Sequence, residues 1–405
     1  MGTVSQLHER IRPPAHRIQS DEEALETARS LAAQFAQQAS DRDINRVLPY
    51  EELEALSQSG LLGITTPSDY GGLDISNSVL AEIIAILAEA DPSIAQIPQS
   101  HFYILEALRI DGSEEQKNFF FAKALAGDRF GNAFSELGTT TAGQYNTRLT
   151  SDGLGYRLNG RKFYSTGVLF ADWIAIFALN AQDDLTMSLV PRGSEGIQII
   201  DDWDGFGQRT SGSGTTILHN VYVNADAVVL HHKGFERATT IGSVGQIIHA
   251  GIDLGIARAA FAETVELVKT QARPWMDSGV ERAADDPLTI ARIGQIAIRI
   301  EAAAAMLERA GKKIDIAQIN PTEDDVIEAT LAVAAAKTLT TEIAIEASNT
   351  LFELAGSSAT RIGLNLDRHW RNARTHTLHD PVRGKYHIVG NYHLNGMAPP
   401  KNWTL

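Results

Sequence analysis

The chain has 405 residues, of which 43% are hydrophobic and 21% are charged, so it is long enough for two or three domains and can bury a sizeable core. Asp and Glu outnumber Lys and Arg by 50 to 35, which gives a formal net charge of −15. A surface of this sign repels nucleic acid and anionic lipid, so neither is predicted as a partner. Cysteine is absent, which excludes disulfides, thiolate metal ligands and thiol nucleophiles. No apolar stretch of about 18 residues occurs, and we expect a cytoplasmic protein.

Residues from about 21 to 128 have apolar side chains at helical spacing. Ser20 is a candidate N-cap for the first helix, and Ser113 precedes acidic residues that are typical of a helix start. Two further helices are predicted near 76–90 and 92–109.

From about 130 to 230 the pattern changes to short alternating segments, which predict strands. Turns are expected at 151–153 and at Asn159-Gly160, the latter as a two-residue hairpin turn. This spacing is typical of a small β-barrel or sandwich.

From about 240 the chain is again helical, with predicted helices at 241–272, 287–318 and 322–355 and a last one after Pro381. Four such helices predict an antiparallel bundle. The predicted fold class is therefore α+β, mainly α. Its expected parts are an N-terminal helical domain at 1–129, a β-domain at 130–236 and a C-terminal four-helix bundle at 237–405.

Several common functional motifs are missing. The sequence contains no G-x-G-x-x-G between a strand and a helix, no Walker A sequence, no H-E-x-x-H and no G-x-S-x-G. His231 and His232 are adjacent and would point to opposite faces of a strand, so a solvated loop is favoured over a metal site. No metal is predicted.

The densest chemistry lies between residues 367 and 382, where three arginines, a tryptophan and three histidines occur together. Asp380 followed by Pro381 is typical of an N-cap and the first helical residue. Such a cap would hold the Asp380 carboxylate ionised, which makes it a poor base. His376 and His379 precede the cap and could reach a cleft, or they could simply bind neighbouring carbonyl groups in a structural corner.

The three-part plan resembles the acyl-CoA dehydrogenase fold across residues 20–396. The chain is most similar to its flavin-dependent monooxygenase branch, which includes the dibenzothiophene monooxygenases and the SfnB-type sulfur-acquisition oxidoreductases. The motifs that carry this resemblance are Asn-Ala-Phe-Ser-Glu at 132–136, Gly-Arg-Lys-Phe-Tyr-Ser-Thr-Gly at 160–167, Asp-Trp-Asp-Gly-Phe-Gly-Gln-Arg-Thr-Ser-Gly-Ser-Gly at 202–214 and Arg-Thr-His-Thr-Leu-His-Asp-Pro at 374–381. Together these motifs are specific.

The resemblance implies a flavin site in the β-domain, where Tyr164 takes the place of the family's stacking tryptophan. The implied flavin-binding residues are Asn132, Ser135, Phe163, Tyr164 and Thr166. Ser165 matches a serine near the reactive edge of the flavin. His379 is expected to transfer a proton, with His376 orienting or relaying it.

The resemblance also implies a substrate pocket with His101 and Trp203, although Trp203 could equally be a core residue of the β-domain. Arg273 resembles an arginine that reaches the flavin phosphate of a neighbouring subunit, and Arg282 is a second candidate. Arg273 could instead cap its own helix, and Arg282 could pair with Asp285 or Asp286.

The departures from the family pattern indicate the chemistry. The run His379-Asp380-Pro381 stands where the dehydrogenases carry their catalytic glutamate. In some dehydrogenases this glutamate comes from another helix. The corresponding stretch here, at 250–253, has no glutamate, and Asp253 is the nearby carboxylate. Two motifs that support the adenine half of FAD are eroded, at 273–277 and at 351–356. FMN is therefore expected rather than FAD.

The predicted function is a reduced-flavin-dependent monooxygenase that oxygenates a small organosulfur compound through a C4a-hydroperoxyflavin, in sulfur acquisition. A separate reductase is expected as a partner because the chain has no nicotinamide motif. A homotetramer or dimer is expected from the alanine-rich helices. The alternatives are an acyl-CoA dehydrogenase-type oxidoreductase with an unusual base and a non-catalytic flavin-binding homologue.

Overall fold

The N-terminal part of the protein is helical. The computed structural model describes residues 3–4, for which only the backbone is considered, together with 13–141 and 143–404. The helices of this part are α1 (Asp21–Ala36), α2 (Ala39–Asn45), α3 (Tyr50–Gln58), α4 (Asn77–Ala90), α5 (Pro92–Gln96), α6 (Gln99–Asp111) and α7 (Glu114–Leu125).

Two helix starts follow from local chemistry. The Ser20 side chain accepts a hydrogen bond from the Glu23 amide at 3.2 Å, so the predicted N-cap of α1 is confirmed. Ser113 and Gln116 form a reciprocal capping box at the start of α7, which satisfies two amide groups that the helix itself leaves unpaired.

The middle of the chain forms one mixed sheet. Among the described residues its strands are β1 (Thr3–Val4), β2 (Phe130–Ala133), β3 (Arg148–Asp152), β4 (Gly155–Lys162), β5 (Trp173–Leu179), β6 (Leu185–Pro191), β7 (Ile197–Asp201), β8 (Thr215–Asn224) and β9 (Val228–Val229). Their order is β1-β7-β8-β4-β3-β5-β6-β9, and β2 pairs in parallel with β5.

The predicted hairpin turn at Asn159-Gly160 is wrong, because both residues lie inside β4. The Asn159 side chain accepts a hydrogen bond from the Asn220 amide of β8 at 2.8 Å. A Cβ at Gly160 would lie 2.3 Å from Thr147 Oγ1. The pair therefore forms an irregularity in the β4–β8 register, where glycine allows a close approach.

The C-terminal part contains α8 (Ile241–Thr270), α9 (Pro287–Ile319), α10 (Glu323–Ala355), α11 (Asp367–His376) and α12 (Val382–Asn395). The predicted four-helix bundle corresponds to α8, α9, α10 and α12, and the predicted fold class is confirmed. Helix α4 also packs against α8 and α9, so the N-terminal helices and the bundle share one hydrophobic core.

The predicted division into three domains remains a prediction. The strands that follow the N-terminal helices run from Phe130 to Val229, and α8 begins at Ile241. A search of the described helices for a segment long and apolar enough to span a bilayer found none.

Candidate active site

A cavity of about 360 Å³ lies where α6, the β-domain and the C-terminal helices meet. Its walls come from all three parts of the chain, which is a usual position for a ligand site. The lining residues are Gln96, Gln99, Tyr103, Asn132, Phe134, Ser135, Glu136, Tyr164, Thr166, Trp203, Gln208, Ser213, Gly245, Gln246, His249, Thr375, His376, Leu378, His379 and Trp403.

The β-domain wall includes the end of β2 with the loop that follows it and the loop that follows β4. The Phe163 amide donates to the Ser135 carbonyl at 3.0 Å, and the Asn132 amide donates to the Thr166 carbonyl at 3.3 Å. These bonds hold the two loops side by side. Tyr164 has a φ of +54°, a region that non-glycine residues rarely occupy outside sites that constrain them.

Trp203 stands beside Tyr164 on this wall, with their ring centroids 6.1 Å apart. The indole donates a hydrogen bond to the Gln208 carbonyl at 2.9 Å. The Gln208 amide in turn donates to Asn372 Oδ1 at 2.6 Å. Trp203 is therefore held at the cavity by its own loop, and that loop is attached to α11.

Three polar side-chain atoms at or beside this cavity are buried and have no partner in the described part of the chain. They are Ser165 Oγ, Thr375 Oγ1 and Gln96 Oε1. Thr375 and Gln96 line the cavity, while Ser165 lies between the lining residues Tyr164 and Thr166. Unpaired buried polar atoms are costly, so the site fits a ligand with hydrogen-bonding edges, such as a flavin ring.

The helical wall contains a buried line of ionisable groups from α8 and α11. Asp253 Oδ1 lies 2.5 Å from His376 Nδ1, and His376 Nε2 lies 3.1 Å from His249 Nδ1. Asp253 also accepts hydrogen bonds from Lys337 at 2.6 Å and from Thr341 at 2.7 Å. The carboxylate is thus saturated with donors.

A second histidine–aspartate pair lies beside the first. His379 Nδ1 is 2.8 Å from Asp380 Oδ2, and the His379 ring is stacked on His249 with centroids 3.8 Å apart. Asp380 also accepts from Gln246 at 2.8 Å. The predicted N-cap role of Asp380 is wrong: Pro381 occupies the cap position of α12 without a side-chain cap, because the carboxylate turns inward to these donors.

Burial and neighbouring charges set the protonation of these groups. Burial raises the pKa of Asp253. The Lys337 ammonium and His376 have the opposite and larger effect, so the pKa lies well below its ordinary range. The pKa of Asp380 is lowered in the same way, chiefly by His379 against the effect of burial. Burial lowers the pKa of His376 and, strongly, that of His249. The resting network therefore has ionised carboxylates and neutral buried imidazoles.

Glu136 lines the cavity itself, whereas Asp253 and Asp380 lie behind the histidines. Its Oε1 accepts from Lys162 at 2.8 Å and from the Thr147 hydroxyl at 2.7 Å. Burial raises the pKa of Glu136, but these hydrogen bonds outweigh it and lower the pKa to about 2. Each of the three carboxylates around the cavity is thus stabilised in its charged form.

The remaining sequence-predicted residues lie elsewhere in this chain. His101 is buried away from the cavity lining, with Nε2 at 2.7 Å from the Leu62 carbonyl and Nδ1 accepting from the Phe130 amide at 3.2 Å. Phe163 packs against Tyr164 but does not line the cavity. Arg273 and Arg282 are exposed in the segment between α8 and α9.

Other features of the site were not expected from the sequence. His249, Gln246 and Lys337 had no motif around them. The predicted solvated loop at His231 is wrong: His231 is fully buried, and its Nε2 lies 2.9 Å from the hydroxyl of Tyr103, a cavity residue. Within the described residues no cluster of three or more possible ligands could hold a metal ion.

The chain is similar to known proteins along most of its length. Family models for the N-terminal and C-terminal domains of acyl-CoA dehydrogenases match residues 19–128 and 247–383. A dibenzothiophene monooxygenase from Mycolicibacterium goodii is 32% identical, over 94% of this chain and 95% of that protein. The chain belongs to the monooxygenase branch of the acyl-CoA dehydrogenase family.

Two further members of the family are similar over nearly the whole chain. The probable FMNH2-dependent monooxygenase SfnC of Pseudomonas putida is 31% identical, over 93% of this chain and 96% of that protein. The structure of TdsC from Paenibacillus sp. A11-2 with FMN and indole has a TM-score of 0.90 and 29% identity, and the match covers 95% of this chain and 100% of that one. The family resemblance predicted from the four motifs is confirmed.

Proposed function

We propose that the protein is a monooxygenase that uses reduced FMN and oxygen to oxygenate a small organosulfur compound in sulfur acquisition. The observation that carries this proposal is the distribution of ionisable groups around the cavity. The imidazoles of His249, His376 and His379 face it. The nearby carboxylates of Glu136, Asp253 and Asp380 are saturated by donors.

Dehydrogenation of an acyl thioester requires the opposite arrangement. Removal of a weakly acidic α-proton needs a carboxylate whose pKa is raised toward neutrality by burial. Asp253, Asp380 and Glu136 all have lowered pKa values. None of the three is therefore suited to act as the base.

The relatives support FMN as the cofactor. The TdsC structure contains FMN, and the Pseudomonas relative is named as FMNH2-dependent. In this chain Asn132, Ser135, Tyr164, Ser165 and Thr166 would hold the flavin, through the adjoining loops and the unpaired Ser165 hydroxyl described above. When bound, reduced FMN supplies the two electrons that activate oxygen.

The histidines manage protons in this proposal. Asp380 holds the Nδ1 proton of His379, which leaves Nε2 as the free nitrogen of the ring. The His379 side chain is 38% exposed, so it can exchange its proton with solvent. His376 is almost completely buried and orients the neighbouring rings.

The cavity wall favours a weakly polar substrate. Phe134, Trp203, Leu378 and Trp403 supply apolar surface, and such surface binds the hydrocarbon part of a thioether, sulfoxide or thiophene better than a strongly hydrated anion. The Mycolicibacterium relative is named for an aromatic thiophene. We infer a small organosulfur compound as the substrate class.

The proposal includes two partners. A separate reductase would supply reduced flavin, since the chain has no nicotinamide motif. A second copy of the chain, in a homotetramer or dimer, would supply Arg273 or Arg282 to the flavin phosphate. Arg273 lies beyond the end of α8, roughly 30 Å along the helix from His249, so it cannot reach the cavity of its own chain. A cytoplasmic location remains a prediction from the sequence.

The test uses photoreduced FMN, which removes the need for the reductase. The anaerobic protein with reduced FMN is mixed with ¹⁸O₂ and, in parallel samples, with a dialkyl sulfide, a dialkyl sulfone or dibenzothiophene. Mass spectrometry is expected to find one ¹⁸O atom in the product of at least one compound. Bleaching of oxidised FMN by an acyl-CoA, with no ¹⁸O in any product, would instead identify a dehydrogenase.

A further inference from the structure

We infer that His249 of α8 is the cavity end of a proton relay formed by Asp253, His376 and His249, and that it accepts and returns one proton during the reaction. The inference deepens the proposed function and rests on it. It assigns chemistry to a residue that neither the motifs nor the resemblance singled out.

The carboxylate end of the relay fixes the first proton. Asp253 receives three side-chain donors, from Lys337, Thr341 and His376. An ionised carboxylate can only accept hydrogen bonds. The proton between Asp253 Oδ1 and His376 Nδ1 therefore belongs to His376.

The second proton follows from the first. A neutral imidazole carries one hydrogen, so His376 Nε2 has a lone pair and must accept. Its neighbour at 3.1 Å is His249 Nδ1, which must then donate. His249 lines the cavity, and no described residue forms a hydrogen bond with its Nε2, so this nitrogen offers a lone pair to the cavity.

The relay has two states that differ by one proton. When a proton forms an N–H bond at His249 Nε2, the proton on Nδ1 passes to His376 Nε2, and no electrons are transferred. The positive charge then rests on His376, against the Asp253 carboxylate, and His249 is neutral again. The strong burial of His249 is therefore no obstacle, because the charge does not stay on its ring.

The surroundings limit the relay to a single proton. The His379 ring lies 3.8 Å from His249, centroid to centroid, and the ammonium groups of Lys337 and Lys385 are buried nearby. A second positive charge would be repelled by the two ammonium groups. His376 and His249 are each about 1–2% exposed, so the proton held by the relay is shielded from solvent. The His379 side chain is 38% exposed, so its proton is not shielded in this way.

The proton positions can be tested without turnover. Solid-state ¹⁵N NMR of the full protein with labelled histidine is expected to show His249 and His376 as neutral rings that carry hydrogen on Nδ1. The two sets of signals are assigned by subtracting the spectra of His249→Gln and His376→Gln. A ring at position 249 with hydrogen on Nε2 would overturn the relay, whether or not the protein oxygenates sulfur.

The role in the reaction is tested in single turnovers with photoreduced FMN, oxygen and the organosulfur compound that the wild type oxidises. We expect His249→Gln to lower the product formed per FMN at least tenfold and to release hydrogen peroxide instead, with FMN affinity within threefold of wild type. The double variant His249→Gln/His376→Gln should form little less product per FMN than either single variant, because both substitutions interrupt the same proton relay.

The matched control is His369→Gln, which removes a buried histidine of the same helix as His376 that binds Glu263 outside the cavity. It is expected to keep wild-type coupling. Wild-type coupling in His249→Gln would refute the relay and leave the proposed function intact. A wild type that forms no oxygenated product with any organosulfur compound would refute the proposed function, and the NMR result would still decide the proton positions.

Discussion

Three lysines near the cavity have almost completely buried side chains: Lys162, Lys337 and Lys385. Lys162 binds Glu136, Lys337 binds Asp253, and Lys385 binds Gln246 and the Thr404 carbonyl. Burial lowers the pKa of both Lys162 and Lys385 to about 8. A buried ammonium is stable only while its partners stay in place.

Glu136→Gln tests this dependence. The substitution leaves the Lys162 ammonium buried with the Phe134 carbonyl as its principal partner. Loss of one partner of a buried pair costs about 3–5 kcal/mol, and urea unfolding is expected to show a fall of this order in the free energy of unfolding. The double variant Glu136→Gln/Lys162→Met should recover part of it. A loss below about 1 kcal/mol in the single variant would show that the pair is not structural.

The same carboxylate gives a pH dependence. The folded pKa of Glu136 is about 2, below its ordinary value near 4.3, so its contribution to stability is complete above the ordinary value and is lost as the pH falls toward 2. The difference in unfolding free energy between wild type and Glu136→Gln should therefore shrink between pH 6 and pH 3, by about 1.4 kcal/mol per pH unit below the ordinary value. A constant difference would contradict the assignment.

Tyr164 is the residue whose backbone and side chain both indicate a ligand. Its φ is +54° and its side chain is half exposed against Phe163 and Trp203. Tyr164→Ala is expected to weaken FMN binding by about tenfold, since an aromatic contact contributes roughly 0.5–1.5 kcal/mol beyond its buried area. Tyr164→Trp keeps the ring and should bind within threefold of wild type. Flavin fluorescence titration measures both, and equal affinities in all three proteins would exclude ring contact.

The sequence pointed to the region of the β-domain wall and to His376, but not to His249, the cavity end of the proposed relay. Tyr164, Ser165 and Trp203 lie in short local motifs. Such motifs can be recognised in one sequence without an alignment. His249 lies in the part of α8 from 241 to 257 in which every residue is buried. Such a helix has no polar face, so its periodicity cannot indicate which residue meets a cavity.

At the scale of elements, the long C-terminal helices were predicted well because their ends have local chemical signals. The single helix predicted near 92–109 is wrong, because the chain forms two helices there, α5 and α6, separated at residues 97–98. The predicted helix at 287–318 is α9 (Pro287–Ile319), which starts with Asp286 as N-cap and Pro287 as the first residue. The strand prediction failed at Asn159-Gly160, where the deciding contacts come from Thr147 and Asn220. Contacts with distant residues cannot be read from a two-residue turn motif.

Helix α9 offers two glycines for a matched test of packing. A Cβ at Gly311 would lie 2.3 Å from the Ser78 amide nitrogen of α4, whereas nothing lies within 4 Å of one at Gly294. Gly294→Ala adds a methyl group that meets nothing within the chain and should stabilise the monomer by about 1 kcal/mol, because alanine favours a helix interior. Gly311→Ala should destabilise it, because α9 must move away from α4. Thermal unfolding measures both, and changes of the same sign would contradict this packing.

At the scale of the whole molecule, several large apolar side chains of α9 are exposed. Its large exposed side chains are Leu288, Ile290, Ile298, Ile316 and Ile319. Leu288, Ile290 and Ile298 form an apolar face in the N-terminal part of α9. Exposed apolar side chains grouped in this way mark interaction surfaces, so this face supports the proposed oligomer.

Ile298→Glu tests the apolar face. Light scattering is expected to show a wild-type particle larger than the 44.0 kDa chain, and the glutamate variant should shift toward the monomer because a charge in an apolar interface is costly. Leu154→Glu, in the exposed turn between β3 and β4, is the control that should keep the wild-type size. A monomeric wild type would remove the proposed route by which Arg273 or Arg282 reaches a neighbour's flavin.

Helix α11 touches two walls of the cavity within ten residues. Near its middle, the Arg371 carbonyl would lie 2.0 Å from a Cβ at Gly207, and Asn372 binds the Gln208 amide. At its end, His376 joins Asp253. The helix therefore connects the loop that carries Trp203 with the buried ionised groups. We expect a ligand that displaces the tryptophan to change the alignment of the imidazoles as well, because a single short helix contacts both.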